Sequence, residues 1–88
     1  MTFDPARPYR LHPQVALRDE PFGALAYHYG NRRLTFLKSP RLVELVRALE
    51  GHPSLDGALD VLGLPPPERT RWRRSLEQLA ASEVICAR

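Results

Sequence analysis

Cysteine is almost missing from this chain. Cys86 stands alone, which excludes an internal disulfide, a cysteine-based zinc site and the thiolate set of an iron–sulfur cluster. Lysine is nearly missing too: of thirteen basic residues only Lys38 is a lysine and the rest are arginines. No apolar run approaches the roughly twenty residues that a membrane span needs. The opening residues Met1 to Pro8 lack the apolar centre of a signal peptide, so a cytoplasmic protein is expected. There is no Gly-rich phosphate loop, nucleophile elbow or HExxH-type helix. His12, His28 and His52 fall on different elements without metal-ligand spacing, and Glu44, Asp56, Asp60 and Glu77 are scattered helix-surface acids. These absences point away from catalysis, with no cofactor and no metal expected.

What is present fits a binding module. Eighty-eight residues make one domain with a single modest core. Residues 1–9, with Pro5 and Pro8, are expected as a flexible arm, and residues 10–88 as one recognition domain. The net charge of +3 suits an anionic partner such as an acidic peptide or nucleic acid. Arginine preference also arises from a GC-rich genome, and composition does not separate the two.

The densest pattern lies between Leu11 and Leu37. Leu11, Pro13, Val15 and Leu17 alternate with His12, Gln14, Ala16 and Arg18, which predicts a first strand with Pro13 at its start or on an edge. After the connection Asp19 to Gly23 comes a hairpin: Ala24 to Tyr29, the turn Gly30-Asn31, then Arg32 to Leu37. Gly-Asn suits a two-residue loop that requires positive φ. Folding there pairs Tyr29 with Arg32, Tyr27 with Leu34 and Leu25 with Phe36. Leu25, Tyr27, Leu34 and Phe36 then share an apolar face, and His28 lies opposite Arg33 on the polar face.

Helical signals follow at once, leaving that third strand without a sequence partner on its far side. Ser39-Pro40 opens a helix whose stripe is Leu42, Leu45, Val46 and Leu49. Gly51 and Pro53 stop it. Ser54 caps a shorter helix ending at Gly63, and a third runs from about Pro67 to Ser82 with Trp72, Leu76, Leu79 and Ala80 inward. Val84-Ile85 closes in extended form. The order predicts an α+β fold, winged-helix-like, with a three-stranded antiparallel sheet followed by three helices.

Pairs in an antiparallel hairpin alternate between hydrogen-bonded and non-hydrogen-bonded. With a two-residue turn, Leu34 and Phe36 bond inward, and Arg33, Thr35 and Leu37 offer their backbone groups outward. A longer turn shifts the parity and exposes Leu34 and Phe36 instead. Either way the strand is a template for an incoming strand, the mode called β-augmentation. On the third helix, Arg69, Arg71, Arg73 and Arg74 surround Trp72. They read as a solvated face, as a surface for an acidic peptide, or as a DNA-reading helix. Trp72 reads as core or as the floor of a groove beside the third strand.

The run Arg10-Leu11-His12-Pro13-Gln14-Val15-Ala16-Leu17-Arg18, with Glu20 to Leu25, Tyr27-His28 and Arg32 to Leu37, closely resembles the mycofactocin biosynthesis peptide chaperones. That family is similar to the pyrroloquinoline-quinone peptide chaperones and belongs with the RiPP precursor recognition elements. The resemblance spans about residues 9–85, specific in the first half and pattern-level in the helices. It implies a winged-helix-like domain that is not an enzyme and binds the leader of a ribosomally made precursor peptide as an added strand. It also implies a second partner, a radical S-adenosylmethionine maturase. Carried onto these residues, the peptide site is Arg33, Leu34, Thr35, Phe36 and Leu37 on the strand, with Arg69, Trp72, Arg73 and Leu76 as the helical wall. The rival expectations are a winged-helix DNA binder and a subunit that pairs its open edge with a second copy.

Overall fold

A computed structural model describes residues 3–88; residues 1–2 of the expected arm lie outside the described residues. The elements run β1 (Tyr9–Leu11), β2 (Val15–Glu20), β3 (Gly23–His28), β4 (Leu34–Leu37), α1 (Pro40–Ala48), a 3-10 turn (Leu49–Gly51), α2 (Leu55–Val61), α3 (Pro66–Ala81) and β5 (Ile85–Ala87). Strands β2, β3 and β4 form an antiparallel sheet in that order, and β1 pairs with β5 in a separate ribbon. The α+β class and the three-stranded sheet with three helices are as expected. Among the described residues no helix is long and apolar enough to cross a membrane.

The predicted first strand is two strands. Val15 N–H donates to His12 O (2.9 Å) and Gln14 N–H to His12 Nδ1 (3.0 Å), folding the chain at Pro13. Proline has no amide for a ladder, so the break falls there. The upstream half turns away to β5, where His12 N–H donates to Val84 O at 2.9 Å.

The hairpin register is the expected one, with Tyr27 opposite Leu34 and Leu25 opposite Phe36, but the turn is not. His28 N–H donates to Arg33 O (3.0 Å) and Arg32 N–H to His28 O (2.8 Å), which encloses the four residues 29–32. The positive φ falls on Arg32 (61°), not on Gly30 or Asn31. Side chains inside the loop explain this. His28 Nδ1 accepts the N–H groups of Gly30 (3.0 Å) and Asn31 (3.1 Å), and Asn31 Oδ1 accepts that of Arg33 (2.9 Å). The Tyr29 amide is drawn to Gln14 O at 2.8 Å, on the other side of β3. It therefore cannot pair with Arg32 as a two-residue turn requires.

The sheet is also inside out relative to side-chain size. The face toward the helices is the one with small residues: Ala24, Ala26 and Leu37 are buried, and so is His28 at 4% exposure. His28 does oppose Arg33, but on the core side. Two alanines in β3 let α1 lie close across β3 and β4, and the large side chains of the hairpin are left facing out. Gly23 secures the far end, at φ 149° with a Cβ position only 2.0 Å from Leu37 O. Only a residue without a side chain fits there.

Local rules account for the helix ends. Ser39 Oγ accepts from Leu42 N–H at the start of α1. The first amides of α2 are satisfied by Arg7 O, Pro5 O and Ser54 Oγ, so the segment ahead of β1 is tied to that helix. At α3, Pro66 and Pro67 occupy the first positions, where missing N–H groups need no cap. Helix α2 ends on Gly63 (φ 67°) and α3 on Glu83 (φ 63°), each followed by an amide reaching back five residues. Leu45, Leu49, Leu55, Leu59, Leu76, Val84 and Ile85 form the fully buried centre.

Candidate functional site

Strands β2 and β4 are the two edges of the sheet, and the free edge of β4 is the one expected to take a partner strand. Its direction follows from two independent bonds. His28 bonds Arg33 across the turn, and Tyr29, one residue on, bonds Gln14 on the β2 side. A residue of a middle strand serves one neighbour, and successive residues alternate. Hence Ala26 and Ala24 serve Thr35 and Leu37. Leu34 and Phe36 are left with both backbone groups pointing away from the sheet. The parity expected from a two-residue turn, with Arg33, Thr35 and Leu37 outward, is thus reversed by the longer loop.

The outward residues also carry the exposed side chains. Leu34 and Phe36 are each 55% exposed, Tyr27 and Tyr29 lie exposed on the same hairpin, and Phe22 is exposed in the turn between β2 and β3. Phe22 stands edge-on to Phe36 (centroids 6.0 Å apart) and Tyr27 edge-on to Tyr29 (5.2 Å). Such pairs hold ring orientation and add about 0.5–1.5 kcal/mol beyond burial. An apolar patch on a strand with unpaired backbone marks an interaction surface. Arg32 and Arg33 precede it, Lys38 follows it, and none of the three has an ion-pair partner among the described residues. Phe22 and Tyr29 were not singled out from sequence. The signal for them was the small residues Ala24 and Ala26, which mark the opposite face as the one that packs.

The four helix residues form a second group. Arg69 pairs with Asp60 and donates from Nε to Leu64 O at 3.0 Å, and Arg73 Nε reaches Asp56 Oδ1 at 2.8 Å. Both fasten α3 to α2. Leu76 is a core residue at 0% exposure. Trp72 is half-buried against the core, with Arg71 stacked 5.4 Å from its ring centroid and Nε1 buried without an acceptor among the described residues. The strand on which α3 packs is β5, while β4 packs on β3 and α1. The structure thus gathers Arg33 to Leu37 into one edge, ties Arg69 and Arg73 to α2, and places Leu76 in the core with Trp72 half-buried against it. Among the described residues no cluster of three or more His, Cys, Asp and Glu could hold a metal.

A family model described as the peptide chaperone MftB family matches residues 8–86. The chain is 45% identical to peptide chaperone MftB of Mycobacterium ulcerans over 83 residues, covering 94% of this chain and 76% of that protein. It is 44% identical to peptide chaperone MftB of Mycolicibacterium smegmatis over 85 residues, covering 97% and 83%. For peptide chaperone MftB of Mycobacterium tuberculosis the identity is 42% over 86 residues, covering 98% and 79%. No solved structure matches the chain. With nearly its whole length matched by the model and by all three relatives, the chain belongs to the peptide chaperone MftB family.

Proposed function

We propose that this protein is a peptide chaperone of mycofactocin biosynthesis that captures the leader of a ribosomally made precursor peptide as a fourth strand on β4. It then presents that peptide to a radical S-adenosylmethionine maturase. The observation that carries the reading is the coincidence, at Leu34 and Phe36, of outward backbone groups with large exposed side chains. Two residues give two donors and two acceptors, about 4 kcal/mol of net ladder bonding at roughly 1 kcal/mol per bond. Ordering each residue of a disordered leader costs about 1–2 kcal/mol of backbone entropy, so the ladder alone does not hold it. Apolar contact supplies the rest. Leader residues paired with Leu34 and Phe36 project onto the same outer face, beside Tyr27 and Leu25. An alternating apolar leader with acids near its ends fits an edge framed by Arg32, Arg33 and Lys38. The chemistry of modification belongs to the maturase. Holding both chains raises the local concentration of the peptide there.

A DNA-binding role is less well supported, because Arg69 and Arg73 are already engaged by Asp60 and Asp56. The test is a calorimetric titration with the cognate precursor peptide, beside the variants Phe36→Ala and Phe36→Pro. Binding at a one-to-one ratio, weakened by Phe36→Ala and further by Phe36→Pro, supports capture on the β4 edge. Equal binding by all three proteins refutes it.

A further inference from the structure

Between the β1–β5 ribbon and the second half of α3 lies a cavity of about 450 Å³, within the range of pockets that take ligands or anchoring side chains. Phe3, Tyr9, Ala80 and Ile85 give it apolar walls, and Glu77 and Glu83 stand among its lining residues. These two carboxylates are unusual in this molecule. Among the described residues seven of its ten acids are paired with an arginine, which leaves Glu50, Glu77 and Glu83. Two of the three acids without an ion pair among the described residues therefore line one largely apolar cavity, with His12 also on its wall. Among the described residues Glu77 makes no ion pair; Arg73 and Arg74 line an adjoining groove with it, but Arg73 is held by Asp56.

The position of Glu83 sharpens the point. It occupies the left-handed residue that ends α3 (φ 63°), the place where α2 uses Gly63 (φ 67°). A non-glycine residue there is disfavoured by roughly 1 kcal/mol. Its carboxylate is steadied by a bond from Asn31 Nδ2 at 3.1 Å, which leaves its other oxygen free.

We propose that this cleft is a docking site for a partner protein. Its occupant is a short basic–apolar segment, an arginine or lysine side chain reaching Glu77 and Glu83 with a neighbouring aliphatic or aromatic residue in the cavity. Charge separates it from the β4 edge. That edge is framed by unpaired cations and favours acids, whereas the cleft offers unpaired anions and favours a base. Opposite signs at two sites orient two different chains on one small domain. The inference stands on the cleft itself and does not depend on strand addition at β4.

The experiment is an amide-resolved NMR titration of the full ¹⁵N-labelled chain with acetyl-Leu-Arg-Leu-amide and, as control, acetyl-Leu-Glu-Leu-amide. Probes at about 10 mM populate a site whose Kd is about 1 mM. The arginine probe is expected to shift Ala81, Glu83, Cys86 and Ala87 saturably, and the glutamate probe is not. The double variant Glu77→Gln/Glu83→Gln keeps an acceptor for Asn31 and removes the charge. It should weaken the arginine probe at least about threefold, as for two exposed ion pairs, with the remaining spectrum unchanged. Equal response to both probes, shifts centred on β4, or no saturable shift at the cleft overturns the proposal. So does undiminished binding by the double variant.

Discussion

Proline substitution at neighbouring positions of β4 separates the two possible edge parities. Thr35 stands opposite Ala26, and the bonds at His28 and Tyr29 place its amide inside the ladder. Thr35→Pro deletes that amide and strands the carbonyl of Ala26, a residue 1% exposed. An unpaired buried acceptor costs about 1–3 kcal/mol, and the ring of proline adds a clash inside the sheet, so a total near 3 kcal/mol is expected. A domain of this size has about 4–13 kcal/mol of stability in all, and such a loss shifts its denaturation midpoint strongly. Phe36→Pro deletes an amide that points to solvent. Beyond the lost ring contact with Phe22, it should cost little more stability than Phe36→Ala. Against a bound peptide the order reverses: Phe36→Pro removes one intermolecular bond relative to Phe36→Ala, about 1.4 kcal/mol or tenfold in Kd. The assays are urea denaturation followed by far-ultraviolet circular dichroism, and calorimetric titration with the precursor peptide. A stable Thr35→Pro with impaired binding, beside an unfolded Phe36→Pro, refutes the parity and restores the two-residue turn.

Gly23→Ala should destabilise by about 3 kcal/mol or more, since its Cβ would lie 2.0 Å from Leu37 O at φ 149°; a thermal midpoint within 2–3 °C of the parent, under about 1 kcal/mol, would contradict the close approach. Leu76→Ala should cost about 2–5 kcal/mol as a core truncation, and retained stability with lost peptide affinity would return Leu76 to the binding wall. Arg73→Glu sets two acids against each other at Asp56, so denaturation should report it more than peptide titration does; the opposite pattern would free Arg73 for the ligand. Sedimentation should find a monomer without peptide, and a concentration-dependent dimer would mean that β4 pairs with itself.

Much of this architecture was legible in the chain because it rests on local rules. Ser39-Pro40, Ser54 and the proline run before α3 announce helix starts through their own capping chemistry. The Tyr27–Leu34 and Leu25–Phe36 register follows from alternation around Gly30-Asn31. The turn itself was not legible, because its shape is decided by contacts outside the hairpin. Gln14 takes the Tyr29 amide, and the His28 ring, buried beside His12 (4.4 Å between centroids), takes the amides of Gly30 and Asn31. Those bonds belong to tertiary packing, and they move the parity by one residue. The inward face was hidden for a related reason. Size suggests that Leu25, Tyr27, Leu34 and Phe36 pack inside, yet α1 packs on the other face, where Ala24, Ala26 and Leu37 are buried. The joining of Arg69 and Arg73 to α2 is likewise a long-range fact that helix periodicity does not contain.

An open edge beside exposed aromatic and aliphatic side chains would ordinarily invite self-association. The charges around β4 bear directly on that outcome. A second copy that used both outward residues would pair Leu34 of one chain with Phe36 of the other. In that antiparallel register Arg32 of each copy stands opposite Lys38 of its partner. Like charges placed directly across a ladder are destabilising, and no acid on the strand relieves them. With only four residues in β4, there is little remaining ladder to offset two such repulsions. Arg32 and Lys38, with Arg33, attract a peptide whose acids fall near the strand ends. One arrangement of charge therefore disfavours the homodimer and favours an acidic strand, as the proposed capture of a peptide on β4 requires.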